Sequence, residues 1–231
     1  LTPAEHHTLL VQGDPQIKNY GVDGSAEAYR SVVIPDMIRM RSTIETPCYG
    51  INLGDLVYND MNVYNAYIDN TERVNTTTFN VIGNHDHCHK YENDYEAEAE
   101  YRKYFGPTYY SFNIGKVHYV VLDDMLYKGS NAYDTRIDDR QMEWLRKDLA
   151  ATDPAVRDVV VAMHVPTVNG LQTDGSYKKA LGNFDEFYAL FADYNLTVMS
   201  GHWHHAHSVR ISDKASEYIL PAACGTWWYK L

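Results

Sequence analysis

Five short clusters in this chain of 231 residues carry side chains able to hold a metal ion. They are Gly13-Asp14-Pro15-Gln16, Gly54-Asp55-Leu56-Val57-Tyr58, Gly83-Asn84-His85-Asp86, Val161-Ala162-Met163-His164 and Gly201-His202-Trp203-His204. Asp14 and Asp55 offer carboxylates, Gln16 and Asn84 amide oxygens, and His164, His202 and His204 imidazoles. A mixed oxygen and nitrogen set without thiolate suits Zn, Mn, Fe or a similar borderline ion. A lone Gly-Asp is a common turn, but five such clusters in this order are much more specific. His202 and His204 stand two apart, which in an extended segment puts both rings on one side and Trp203 on the other.

Each cluster falls at or just after a run that reads as a β-strand. Short apolar, β-branched runs bounded by Gly, Asp or Asn place strands at 8–12, 49–53, 78–82, 109–114, 117–122, 159–163, 197–200, 206–211 and 218–222. Helix-like stretches at 25–40, 62–74, 95–105, 138–150 and 183–194 alternate with them, the pattern of α/β architecture. Pro35 should kink or split the first helix. In the fourth, acids open the first turn, and Met142, Trp144, Leu145 and Leu149 follow at helical spacing as core. Asn113-Ile114-Gly115-Lys116 reads as a hairpin turn. The segments 125–137 and 166–182 read as long irregular loops. Ligands bind outside the carboxyl ends of strands in open α/β sheets, so residues up to roughly 190 positions apart can meet there.

Composition excludes several other functions. Lys and Arg number 20 against 31 Asp and Glu, a net charge of −11, and no segment concentrates the basic residues. A groove tracking nucleic-acid phosphates has no electrostatic source in such a chain. No apolar run approaches the roughly 20 residues of a membrane span. Three dispersed cysteines form no Cys-x-x-Cys pair and indicate neither a disulfide framework nor a structural zinc site. The chain opens at Leu1 with neither Met nor an apolar leader, so a targeting segment has been removed or the sequence is an excerpt with flanking domains. An extracytoplasmic location, periplasmic or secreted, is favoured over a cytoplasmic one. Two counts stand out: 11 histidines, and 20 tyrosines against 6 phenylalanines.

Taken in order, the clusters resemble the calcineurin-like metallophosphoesterase superfamily, whose pattern is Asp-x-His, Gly-Asp, Gly-Asn-His-Asp or Glu, a later His, and Gly-His-x-His. The resemblance runs from about Thr8 to Ala222. It implies a four-layer α/β/β/α sandwich, with two mixed central sheets flanked by helices, in a single domain over 1–231. It also implies two divalent or trivalent metal ions, with Mn, Fe or Zn ahead of Ni or Mg. Asp55 would bridge them, with Asp14 and His204 on the first and Asn84, His164 and His202 on the second. Gln16 replaces the usual histidine of the first motif and weakens that site, although an amide oxygen can still coordinate. Gly-Asp-x-x-Tyr ending at Tyr58, and Val-x-x-His ending at His164, are similar to purple acid phosphatases, where the tyrosine is a ligand. Those enzymes carry Gly at the position of Gln16.

By the same resemblance, His85 is the catalytic histidine, held by Asp86. The reaction implied is hydrolysis of a phosphate mono- or diester by a metal-bridging hydroxide, with His85 protonating the leaving group of a small phosphorylated substrate. A pyrophosphatase and a non-catalytic metal-binding or interaction domain stay open as alternatives. The other residues have plainer readings. His87, His89, His205 and His207 flank the motifs as supporting or surface residues, and His6, His7 and His118 belong to the surface or the sheet. Asp123-Asp124 reads as a cap or turn, Lys178-Lys179 as a solvated pair. Trp203, Trp227 and Trp228 form an apolar wall for the leaving group or pack on the sheet.

Overall fold

The computed structural model describes residues 6–18, 26–171 and 176–224. β1 (Thr8–Gln12), β2 (Cys48–Asn52) and β3 (Thr77–Asn80) form a three-stranded sheet that is parallel throughout. β4 (Tyr110–Ile114) and β5 (Val117–Val121) form a hairpin whose two-residue turn starts at Gly115, φ 59°, as a II′ turn requires. β6 (Met125–Tyr127) and β7 (Tyr133–Thr135) pair with each other, and so do β9 (Val168–Leu171) and β10 (Tyr177–Lys179). With β8 (Asp158–Ala162), β11 (Asn195–Ser200), β12 (His207–Arg210) and β13 (Ala215–Ile219), the larger sheet has the order β12-β13-β11-β8-β5-β4. Its interior is parallel and its edge pairs β12–β13 and β4–β5 are antiparallel, so the mixed character lies in this sheet.

Side-chain alternation along the strands makes the layers. Val159, Val161 and Met163 join Met142, Leu145 and Phe187 in one apolar cluster, while Val160 and Ala162 join Ile51, Leu53 and Val81 in another between the sheets. Successive strand residues face opposite sides, so β8 serves both clusters. A third cluster covers the outer face of the small sheet with Ile34, Met37, Tyr64, Tyr67 and Tyr101. The result is helix, sheet, sheet, helix, as the resemblance implies.

The helices are shorter and more interrupted than their periodicity suggests. α1 (Ala26–Ala28) passes through a π-helical turn, Tyr29–Val33, into α2 (Ile34–Ser42), with Pro35 in the first turn of α2. Proline removes a donor from this continuous helical run, and the π turn directly before it is where the hydrogen-bond ladder is disrupted. The predicted helix over 62–74 is a 3₁₀ turn followed by α3 (Tyr64–Glu72), and that over 95–105 breaks into α4 (Asp94–Ala97) and α5 (Ala99–Phe105). α6 (Asp139–Ala151) starts where expected, with the Asp138 carboxylate accepting from Gln141 N. α7 (Phe184–Ala189) is half the predicted length. Both segments read as loops contain short hairpins, β6–β7 and β9–β10. Trp227 and Trp228 lie outside the described residues.

β1, β2, β3, β8 and β11 all end on one side, and a parallel bridge from Gly13 to Ala222 ties the two sheets together there. Ile51 is 1% exposed between the sheets, away from any ionisable cluster. Ile51→Ala should lower unfolding stability by about 2–5 kcal/mol in a denaturant titration. A loss under about 1 kcal/mol would show that the layer is looser than its burial indicates.

Candidate metal centre

The tight bends after these strands bring all seven sequence-selected ligand residues together. Among the described residues, nine non-glycine residues have positive φ, and Asp14, Gln16, Asp55, His202 and His204 are five of them. This backbone region is sparsely populated, and its concentration here marks a built site. The finding also corrects one expectation: His202 and His204 lie in a left-handed bend beyond β11, not in an extended segment, so their rings diverge. His202 groups with Asp55 and His164, whereas His204 groups with Asp14 and Asp55.

Those two trios overlap at Asp55, and within each the ligand atoms lie within 4.8 Å of one another. Asp14 and Asp55 are 0% and 1% exposed, and His164 is 0%. His164 Nδ1–H donates to Leu53 O at 2.8 Å, which leaves Nε2 pointing at Asp55 Oδ1 (3.3 Å), Asn84 Oδ1 (3.1 Å) and His202 Nδ1 (3.2 Å). His204 Nε2 is 3.3 Å from Asp14 Oδ1. The Gln16 amide nitrogen donates to Asp55 Oδ2 at 3.0 Å and lies 3.1 Å from His204 Nε2. A half-turn of that amide would present its oxygen to the same two groups.

Two glycines are needed for this close approach. A Cβ on Gly83 would come within 2.3 Å of Asp55 Oδ1, and one on Gly54, φ 87°, within 2.6 Å of His164 Nδ1. The Gly of each motif therefore makes room for a ligand.

Electrostatics fit a cation site. Burial pulls the His164 imidazolium down, but the Asp55 and Asp14 charges outweigh it and raise its pKa. Burial would raise Asp55, and the adjoining His164 reverses this and holds it low. His202 is pushed down to about 4 by burial and by the His164 charge. A proton on His164 thus stands in for a positive charge that a metal ion would supply, so metal binding would release it.

His85 lies at the rim. Its backbone N–H donates to Asp55 Oδ1 at 2.9 Å, its Nδ1–H donates to Asn59 Oδ1 at 2.8 Å, and its Nε2 is 3.9 Å from Asp55 Oδ2. Tyr58 stacks on it with ring centroids 4.2 Å apart, and Lys18 Nζ sits 4.8 Å from the Tyr58 ring. Tyr58 is 37% exposed and stands over His85.

Asp86 does not hold the His85 ring, contrary to expectation. Its carboxylate is fully buried and accepts from Gly83 N (2.9 Å), Leu56 N (3.1 Å), Val57 N (3.3 Å) and Tyr64 OH (3.2 Å). Residues 85 and 86 point apart because they follow one another in a 3₁₀ turn, Asn84–Asp86. Asp86 instead ties the loop after β3 to the loop after β2. Asn59, four residues past Asp55 and directly after the second motif, takes the role of orienting His85, and nothing in the motif itself marks it.

Asp124, read as a cap or turn residue, accepts from His164 N (3.1 Å) and Val165 N (3.0 Å) and so fixes the exit of β8. Lys178 and Lys179 lie on β10, where Lys179 pairs with Asp185. His118 lies on β5, as its assignment to the sheet implies, and bridges Asn113 of β4 to Asp148 of α6. Trp203 stacks with His205.

A four-layer sandwich carrying such paired clusters at its strand ends is the architecture of a metal-dependent phosphoesterase. The calcineurin-like phosphoesterase family model matches residues 7–206, and the chain belongs to that family. It is therefore a phosphate-ester hydrolase of a metal-dependent kind. Among solved structures, it is similar in fold to a dimetal phosphatase from Danio rerio, 13% identical, with a TM-score of 0.66 over 93% of this chain and 87% of that one. It is also similar to a 5'-nucleotidase from Candida albicans, 13% identical, TM-score 0.52, over 93% of this chain and 45% of that one. No curated protein sequence matches it. No helix among the described residues is long and apolar enough to cross a membrane.

If Asp86 positions the ligand-bearing loops, Asp86→Asn should weaken metal affinity by roughly 10–100-fold while leaving the far-ultraviolet circular dichroism unchanged. Unaltered affinity in a metal titration would remove Asp86 from that role.

Proposed function

We propose that the protein hydrolyses a small phosphate mono- or diester at the paired clusters around Asp55, with one metal ion in each. The observation that carries this reading is the sharing of Asp55 by the two trios. On the first ion it places Asp14, His204 and the amide oxygen of Gln16; on the second, Asn84, His164 and His202; on both, Asp55. The donor set fits Mn, Fe or Zn. Two such ions acidify a water nucleophile and neutralise the phosphoryl oxygens.

His85 supplies the remaining need, a proton for the leaving oxygen. Asn59 holds Nδ1, so Nε2 is the nitrogen turned to the centre, and stacking on Tyr58 restrains the ring. A cavity of about 540 Å³ begins at Asn59 and is lined by His89, Lys90, Tyr91 and Tyr104. It lies on His85's side of the centre and is of small-molecule size, so it suits the organic part of the substrate. Lys90 lines it together with the acids Asp60 and Glu100.

With Mn, Fe, Zn or Ni added, the protein should hydrolyse aryl phosphate esters and carry two ions at the Asp55 clusters. Metal-replete protein inactive on every mono- and diester would sink the proposal. His85→Asn should slow esters with poor leaving groups by about 10²–10⁴-fold and good ones far less. Burial pushes the His85 pKa below its ordinary value despite the nearby Asp55 charge. The protonated form is the active one, so kcat for poor leaving groups should fall as pH rises through that value, and His85→Asn should flatten this limb. An equal loss across the leaving-group series would rule out the proton-donor role.

A further inference from the structure

A second cluster of buried ionisable groups lies beneath the turn that carries His85. His87, Glu98 and Asp123 are 1%, 8% and 2% exposed and offer ligand atoms within 4.8 Å of one another. Asp94 adds a third carboxylate: its Oδ1 is 3.8 Å from His87 Nε2. Glu98 is within hydrogen-bonding range of both Asp94 and Asp123.

His87 points to what fills the cluster. Its Nδ1–H donates to Gly83 O at 2.9 Å, so Nε2 carries the lone pair, and this atom is buried with no hydrogen-bond partner. Metal-binding histidines are fixed in this way, with one ring nitrogen on a carbonyl and the other facing the ion. Burial also pushes the ring's pKa down to about 4, so it is neutral at physiological pH. The Asp94 carboxylate, 3.8 Å away, is beyond hydrogen-bonding distance of that lone pair.

Charge points the same way. Arg102 pairs with Glu98; Arg140, which also acts on Asp94, is itself paired with Asp138. With all three carboxyls ionised, one positive charge against three negative leaves an excess of two, which a divalent ion cancels and which protons offset when the ion is absent. Without such an ion the carboxyls crowd one another: burial and the Glu98 and Asp94 charges raise Asp123, and burial with the Asp94 charge brings Glu98 to about 7.

We infer that the protein holds a further divalent cation, separate from the pair at Asp55, on His87 Nε2 and the carboxylates of Glu98 and Asp123, with Asp94 as a fourth ligand. One imidazole and three carboxylates suit Zn or Mn. An ion roughly 2.0–2.2 Å from each ligand requires ligand atoms roughly 3–4 Å apart, and the His87 to Asp94 separation of 3.8 Å satisfies this. Its role is structural. It ties α4 to the end of β5 and to the turn at Asn84–Asp86, and Asp123 adjoins the Asp124 that fixes His164.

The test is anomalous scattering from wild-type crystals soaked separately with Mn²⁺ and Zn²⁺. A peak about 2.0–2.2 Å from His87 Nε2 is expected besides those at Asp55. Peaks at Asp55 with none at His87 would overturn this inference and leave the proposed function intact, whereas a peak at His87 alone would do the reverse. In solution, folded Glu98→Gln and Asp123→Asn should carry about one ion fewer per chain by mass spectrometry and lose part of the metal-induced rise in melting temperature. Unchanged metal content in either folded variant would also overturn the inference. If neither variant folds, the wild-type crystals decide alone.

Discussion

An ionised carboxylate buried away from water costs several kcal/mol unless positive or hydrogen-bonding partners replace the solvent. Asp55, 1% exposed in the bend after β2, imposes that requirement on the rest of the protein. Its partners come from four other strand ends: Gln16 after β1, His85 N–H after β3, His164 after β8 and the His202–His204 bend after β11. Two sheets must therefore meet at their carboxyl ends with little freedom. The Gly13–Ala222 bridge and the apolar layer of Ile51, Leu53, Val81 and Ala162 fix that meeting.

Three of the 20 tyrosines serve the same requirement. Tyr64 carries its ring in the apolar cluster outside the small sheet and its hydroxyl to Asp86; Tyr67 and Tyr101 do the same for Asn80. Phenylalanine would fill the volume but remove one hydrogen-bond donor from each of these polar groups. A protein that crowds carboxylates and amides at one end of its sheets needs aromatic residues with a polar tip behind them.

Legibility from sequence followed the distance between a residue and its signal. Asp14, Asp55, Asn84, His164, His202 and His204 each lie within a few residues of a strand end, so alternation, with a nearby glycine for all but His164, locates them, and parallel topology brings them together. The split of α4 from α5 and the π turn before Pro35 were less legible, because periodicity marks a face and not the continuity of the backbone. Edge hairpins β6–β7 and β9–β10 are only three or four residues long and partly polar, too brief for alternation to register. Asn59 was hidden because its role depends on a loop curling back, and Asp86 was misassigned because adjacency in sequence suggested adjacency in space. His87, Glu98 and Asp123 come from a turn, a helix end and a strand end with no shared spacing, so only the folded chain brings them together.

The turn from Gly83 to His87 explains how such short spacing serves four places. In a 3₁₀ turn successive side chains are about 120° apart, so Asn84, His85 and Asp86 reach the His164 imidazole, the Asn59 side and the loop after β2 respectively. Continued for one more residue, the turn would eclipse His87 with Asn84 and drive a second imidazole toward His164. His87 instead adopts extended angles, φ −80° and ψ 134°, and its ring turns back under Gly83 to face Glu98 and Asp123. That single break in the helix sends one residue of the motif away from the Asp55 clusters and into the buried cluster beneath them. The two clusters therefore share a backbone segment, and a displacement of His87 is carried to His85 through two peptide units and to Asn84 through three.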